Sequence, residues 1–402
     1  MKRAFLFLLM TAWSLPAAWA QSFVDRSVGI AQAQTQLMVE KLANTRAIPN
    51  SATADGSKLN FVGIKGWTSG FFSGTLWYLY ELTGDSRWKA YARIWNWQLE
   101  PLRTFTEHHD IGFMVGCSFG NGYRLTGDPE YAKIIVDAAR SLCTRFNGKV
   151  GAIKSWDVPD PQKYLVIIDN MMNLELLFMA YKLTGERKFY DIAVSHADIT
   201  MKNHFRPDGS SYHVVEYDPT TGTITRKHTA QGHADESAWS RGQSWGLYGY
   251  TMMYRETGDD KYLRHAEKIA RFMLEHRNLP EDFIFYWDFD APEIPDTARD
   301  VSSSAIAASA LIELSEYSAE NGKRYLTTAE KILRGLSNPP YLAAIGENQN
   351  FILTNSVSAF RHNPATEALC YADYYFIEAI LRYRNYQRNK QNCITNAKNR
   401  CK

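Results

Sequence analysis

Two aspartates, an arginine and several tryptophans stand at comparable places along the chain. Asp110, Asp169 and Arg241 each lie 16 or 17 residues ahead of a turn glycine, respectively Gly127, Gly185 and Gly258. On an α-helix that separation is about 24 Å, so the three residues share the rim opposite the turns. The same register puts Trp67 at the start of the first such helix and Asp300 at the start of the fifth. Trp156, His213, Gln231 and Trp245 lie in or near the intervening segments, as do Asp157 and His233. Two facing carboxylates can be driven to different pKa values, one protonated as an acid and the other ionised. Indole faces stack on sugar rings, and a guanidinium can fork a ring carboxylate. The set fits acid–base work on an acidic carbohydrate.

Each of these residues also has a purely structural use. Asp is favoured as a helix N-cap, and capping would hold Asp110 or Asp169 below the range an acid needs. Burial or a neighbouring like charge must then overcome it. Trp67, Trp156 and Trp245 also suit a core. His108 and His109 are adjacent, so their side chains are expected to point apart, and no HExxH spacing indicates a metal. His213 and His233 read individually as loop residues, and Asp300 with Ser302 to Ser304 as a helix cap.

The elements that must position these side chains announce themselves by repetition. A tyrosine-led helix end runs into a turn glycine and a second helix at YELTGDSRW (80–88), YRLTGDPEY (123–131), YKLTGERKF (181–189), YRETGDDKY (254–262) and YSAENGKRY (317–325). The glycine is expected to take the left-handed conformation that ends the first helix, and the following Asp, Glu or Pro to open the second. Helices that are apolar nearly all round are predicted over about 68–83, 110–126, 169–184, 240–257, 300–320 and 366–385. Amphipathic partners are predicted over about 25–45, 86–99, 129–146, 187–203, 260–277 and 324–336. Six inner and six outer helices predict an all-α (α/α)6 barrel, with the first helix beside the last inner one. A solenoid would keep a nearly fixed period, whereas the turn glycines at 84, 127, 185, 258 and 322 are unevenly spaced. Turns from inner to outer helices are short, while the returns 147–168, 204–239, 278–299 and 338–365 are long. Long loops on one face of a rigid scaffold are where function usually sits.

Composition narrows the class further. Lys2 and Arg3, an apolar run and Ala18-Trp19-Ala20 read as a secretory leader over 1–20, too short for a membrane span. The expected mature chain is exported, periplasmic and free in solution, with one domain over 21–388 and a basic tail over 389–402. Without the leader its 43 acidic residues are matched by as many basic ones, which argues against nucleic-acid binding. Cys117, Cys143 and Cys370 fall on apolar helical faces as packed thiols, while Cys393 and Cys401 could pair in the tail.

HHDIGFMVGCSFGNGYRLTGD (108–128), IIDNMMNLELLFMAYKLTG (167–185) and SRGQSWGLYGYTMMYRETGD (240–259) resemble the unsaturated glucuronyl hydrolases of glycoside hydrolase family 88. GWTSGFFSGTLWYLYELTGD (66–85) fits them too, and also resembles the related unsaturated rhamnogalacturonyl hydrolases. The likeness spans about 60 to 386. It implies an (α/α)6 barrel acting after polysaccharide lyases to remove a Δ4,5-unsaturated uronate from glycosaminoglycan-type oligosaccharides. Hydration of the C4=C5 vinyl ether, rather than displacement at the anomeric carbon, would expel the sugar. Asp169 matches the family's acid/base catalyst and Asp110 its second essential aspartate. His213, Gln231, Arg241 and Trp245 match substrate-site positions, and Trp67 and Trp156 stacking walls. No metal or organic cofactor is implied. The alternatives are an unsaturated rhamnogalacturonyl hydrolase, an (α/α)6 polysaccharide lyase and a non-catalytic glycan-binding protein.

Overall fold

The computed structural model describes residues 22–362 and 364–400, with 393–400 described by backbone alone. The leader and the Cys393–Cys401 pairing lie outside the described residues. Twelve helices alternate along this part of the chain: α1 (Phe23–Leu42), α2 (Phe71–Thr83), α3 (Ser86–Gln98), α4, α5 (Pro129–Cys143), α6 (Asn170–Thr184), α7 (Arg187–His204), α8 (Ser240–Thr257), α9 (Asp260–Glu275), α10 (Val301–Tyr317), α11 (Gly322–Leu336) and α12 (Cys370–Arg400). Helix α4 begins as a π-helix (Gly112–Gly120) and continues as an α-helix (Asn121–Thr126). The even-numbered helices each touch the next, and α12 touches α2, so the inner ring closes. Each odd-numbered helix packs outside, with α1 against α12 as expected. The architecture is an (α/α)6 barrel. The tail set apart from 389 continues α12 without a break, and residues 389–392 are exposed.

The turn repeat has a local cause. Thr83, Thr126, Thr184 and Thr257 each donate a hydroxyl hydrogen bond to the carbonyl four residues back, at 2.6–2.8 Å. The same oxygens accept the N–H two residues on, at 3.1–3.2 Å. Between them Gly84, Gly127, Gly185 and Gly258 adopt φ of 67–75°, which glycine takes without a Cβ penalty. Asp85, Asp128 and Asp259 then cap the following helix through their side chains. The fifth turn departs from this pattern. Helix α10 ends at Tyr317 with Ser318 as its cap residue, and Gly322 is the first residue of α11 rather than a left-handed cap. A Cβ there would lie 2.4 Å from the Ser315 carbonyl oxygen, so this glycine serves close approach.

The long returns gather on one face and carry short strands, which the all-helical reading did not include. β1 (Ile48–Thr53) lies between β2 (Leu59–Val62) and β8 (Glu367–Leu369). β3 (Phe146–Asn147) pairs with β4 (Ala152–Ile153), and β6 (Val214–Tyr217) lies between β5 (Tyr164–Ile167) and β7 (Ile224–His228). At the turn end the barrel encloses a cavity of about 600 Å³, lined among others by Glu175, Arg255, Glu378 and Arg382. Its charges are spent on one another: Arg255 pairs with Glu175 and Glu313, and Arg382 with Glu313 and Glu378. Phe113 borders that cavity and also packs on Trp67 and Trp245, separating it from the loop face.

Candidate active site

Asp169 is placed by a strand register. β5 and β6 pair antiparallel with Ile167 opposite Val214, and the Ile168 N–H then bonds the His213 carbonyl at 3.1 Å. The chain leaves this ladder at Asp169 and enters α6, so Asp169 and His213 face one another across the end of the sheet. Asp169 occupies the N-cap position but has helical dihedrals and makes no side-chain cap. The capping that would have depressed its pKa is therefore absent at this residue. Asp110 stands two residues before α4, whose cap residue is Ile111, and it makes no side-chain cap either. Close contact between α4 and α6 brings the two aspartates near. Gly112 makes that contact possible, since a Cβ would lie 2.4 Å from the Asn173 Cα. The Phe113 N–H bonds Asn173 Oδ1 at 2.9 Å across the same seam. π-Helical turns recur at functional sites, and here one follows Asp110 directly.

The two carboxyls are driven apart in pKa. Burial raises Asp169 most; Arg241 opposes it, the Asp110 charge adds to it, and the Trp245 indole opposes it, leaving about 7. Its Oδ2 is buried without a hydrogen-bond partner. Burial would also raise Asp110, but the imidazoles of His109 and His108 outweigh it and hold this carboxyl below its usual range. His109 is fully buried and held down to about 4, so at neutral pH it is a polar neighbour, 3.3 Å from Asp110 Oδ1. His108 is shifted the other way. Burial opposes charge there, but contact with Asp110 wins and raises the imidazole. His108 Nε2 lies 2.9 Å from the Lys65 carbonyl and so must carry a proton. Its Nδ1 accepts the Asp110 backbone N–H at 3.2 Å and lies 3.1 Å from Asp110 Oδ2, so a second proton there would exchange the backbone bond for an ion pair with that carboxylate. The two histidines turn toward one carboxylate rather than apart, which corrects the sequence reading.

His213 is held as a single tautomer. Its Nδ1 accepts the backbone N–H groups of Ala230 and Gln231 at 3.1 and 3.2 Å, which leaves the proton on Nε2. Burial presses its pKa down to about 3, so the ring is neutral. Nε2 points at Asp169 Oδ2 from 3.7 Å, beyond a direct hydrogen bond. Trp245 is fully buried against Phe113 and Tyr375, which leaves no open face for a sugar. Its indole N–H, directed at Asp169, has no closed hydrogen bond. An acid whose own Oδ2 and two facing N–H groups all lack partners is ready for a ligand, because buried polar groups are otherwise paired.

Arg241 belongs to this site, but its fork is already occupied. One terminal nitrogen donates to Asp300 Oδ2 at 3.1 Å and to the Val357 carbonyl. The other donates to Gln231 Oε1 at 2.7 Å and to the Ser358 carbonyl at 2.6 Å. Arg241 thus acts on the site as a buried positive charge, not as the free bidentate fork expected from the sequence. Gln231 is likewise committed through its side-chain oxygen. Arg241→Ala would strand Asp300, which is fully buried. It is expected to cost about 3–5 kcal/mol of folding stability, measured by chemical denaturation. Unchanged stability with weakened ligand binding would restore the fork.

The other aromatic positions divide. Trp67 is half-buried and clusters with Phe71, Phe113 and Tyr371 beside Trp245, so it sits at the site wall. Trp156 packs on Leu165, Ile167 and Val214, with Ala230 alongside, and bridges to His108 through its backbone. It lies on the rim behind His213. His233 and Asp157 stand apart: His233 bonds Asp288 through its backbone N–H, and Asp157 pairs with Arg145 and Lys154.

Some contributors escaped the sequence reading. The Trp239 ring lies 4.5 Å from the His213 ring centroid and 4.5 Å from the Arg241 guanidinium carbon, and so supports both. Tyr371 packs on Trp67, faces Arg241 at 5.4 Å and carries a buried hydroxyl without a partner. Asp300 caps α10 as expected, yet its second oxygen is the Arg241 counter-ion. A buried arginine implies a carboxylate partner, and that was the available signal.

Residues 39–390 match Glycosyl Hydrolase Family 88. An unsaturated glucuronyl hydrolase of Formosa agariphila is 43% identical over 368 residues, covering 90% of this chain and 92% of that protein. The solved structure of an unsaturated glucuronyl hydrolase specific for heparin is 45% identical with a TM-score of 0.87, covering 91% of this chain and 98% of that one. A mutant unsaturated glucuronyl hydrolase from Streptococcus agalactiae, complexed with dGlcA-GalNAc6S, is 27% identical with a TM-score of 0.76, covering 90% and 91%. The seam that joins Asp110 to Asp169 and the turns that set their height fall inside the matched span, and the chain belongs to glycosyl hydrolase family 88.

Proposed function

We propose that this enzyme releases the terminal Δ4,5-unsaturated glucuronate from glycosaminoglycan-type oligosaccharides, with Asp169 as the acid and then the base. The observation that carries the roles is the buried Asp169 carboxyl lifted to about 7 beside an ionised Asp110. Near neutrality such a group is populated in both forms, as a residue must be that gives and then takes a proton. Protonated Asp169 delivers its hydrogen to C4 of the vinyl ether, and the ring oxygen stabilises the cation left at C5. The Asp169 carboxylate takes a proton from water as the water oxygen bonds to C5. The hemiketal then opens at the C5–O5 bond, and the resulting hemiacetal at C1 expels the remaining saccharide. One water is consumed, and the anomeric carbon is not attacked by a carboxylate. Arg241 favours the ionised form that follows proton delivery, and His213 and Trp245 offer N–H groups to it. Trp67 supplies an aromatic wall at the same mouth. The relatives' names support the substrate class.

Incubation with unsaturated heparin, chondroitin and rhamnogalacturonan disaccharides is expected to lower the ultraviolet absorbance of the conjugated double bond with at least one glucuronyl substrate. A lyase would raise absorbance on intact polysaccharide, and a binding protein would leave it unchanged. Consumption of the rhamnogalacturonan product alone would move the assignment to the rhamnogalacturonyl reading.

A further inference from the structure

One buried carboxylate takes no part in this chemistry. Asp373, in the first turn of α12, is 6% exposed and accepts the Ile352 and Leu353 backbone N–H groups, each at 2.9 Å. Burial raises its pKa to about 7. Gln34 of α1 grips the same stretch, donating to the Phe351 carbonyl at 2.9 Å and accepting the Gly346 N–H at 2.8 Å. The backbone so held is unusual. Asn348, Gln349, Asn350 and Asn355 all have φ between 51 and 72°, a left-handed region that is uncommon outside glycine and that asparagine enters more readily than most. Just beyond, the Val357 and Ser358 carbonyls receive Arg241, and the Val357 N–H bonds Asp300 at 3.3 Å.

We propose that Asp373 is a positioning residue for the catalytic centre: it fastens Ile352 and Leu353 so that Val357 and Ser358 hold the Arg241 guanidinium beside Asp169. Resting on the functional reading above, the proposal adds a remote anchor that determines where the site's buried cation stands. The physical chain is contiguous. Asp373 fixes two amides, the left-handed turn at Asn355 redirects the backbone, and the next carbonyls but one receive the cation. An apolar side chain at this position would leave the Ile352 and Leu353 N–H groups without the acceptors they have here, so the carboxylate does more than fill space.

The test uses Asp373→Asn in the full chain, with an unsaturated heparin or chondroitin disaccharide and amide hydrogen exchange. The groups that face Asp169 are Arg241, Asp110 and His213. If Arg241 relaxes away, its lowering influence weakens and the alkaline limb of kcat/KM moves to higher pH. The folded variant is expected to show that displacement, a 3- to 30-fold loss of kcat/KM near neutrality, roughly the range of remote couplings, and faster exchange at Ile352 and Leu353. A folded variant with the wild-type limb and kcat/KM overturns the proposal. So does a loss that is uniform across pH and tracks the unfolded fraction. If Asp373→Asn does not fold, Asp373→Glu, which keeps both acceptor oxygens but displaces them by one methylene, is judged by the same readouts. A wild type that leaves absorbance unchanged would fail the functional reading, while exchange at the two amides would still decide the clamp.

Discussion

Asp169→Asn is expected to lower kcat by about 10²–10⁴-fold, the usual contribution of a positioned proton donor and acceptor. The amide can neither deliver the hydrogen to C4 nor take one from water. The same substitution is expected to stabilise the protein at alkaline pH, and the sign follows from proton linkage. The folded pKa of about 7 lies well above the ordinary carboxyl value of 3.8. The folded state therefore binds the extra proton, and the stability this confers is complete below about pH 4. It is lost as pH rises through about 7, to a limit of roughly 4 kcal/mol for the difference between those two values. The amide side chain carries no such ionisation cost. A thermal melt at pH 8 should show Asp169→Asn above wild type, with the gap vanishing near pH 4. A variant with near-normal turnover, or one equally destabilised at both pH values, would remove Asp169 from the role.

Asp110→Asn is expected to lower kcat/KM by about 10²-fold and to move its alkaline limb to lower pH. The wild-type limb should fall near pH 7, where free Asp169 loses the proton it must deliver. The Asp110 charge helps hold that proton on, so neutralising it lets Asp169 ionise earlier. Loss of the negative partner should also lower the pKa of His108, which NMR titration of the ring would read directly. A pH profile of unchanged shape would show that the carboxyls are not coupled and would leave Asp110 a role in binding alone.

Much of the fold was legible because its causes are local. A threonine that bonds back into its helix, a glycine that accepts a left-handed φ and an aspartate that caps the next helix lie within three residues of one another. The fifth turn reads alike in sequence but lacks the threonine, and its glycine answers to close packing against Ser315. Helix spans followed from periodicity, whereas the short loop strands did not, because their pairing joins segments far apart in the chain. The site divided in the same way. Asp110, Asp169, Arg241 and Trp67 were reached by counting along helices. Trp239 and Tyr371 were missed because their neighbours come from other elements.

What the amino-acid order determined alone was the hairpin unit, its repetition and the rim on which two carboxylates stand. Which carboxyl holds a proton was decided by tertiary structure. Desolvation and neighbouring charge act through space, and the burial of Asp169 and the imidazoles around Asp110 exist only once the ring has closed. The same holds for Arg241, whose type suggested a fork for a ligand. Asp300 and the carbonyls of a distant loop had already taken its donors.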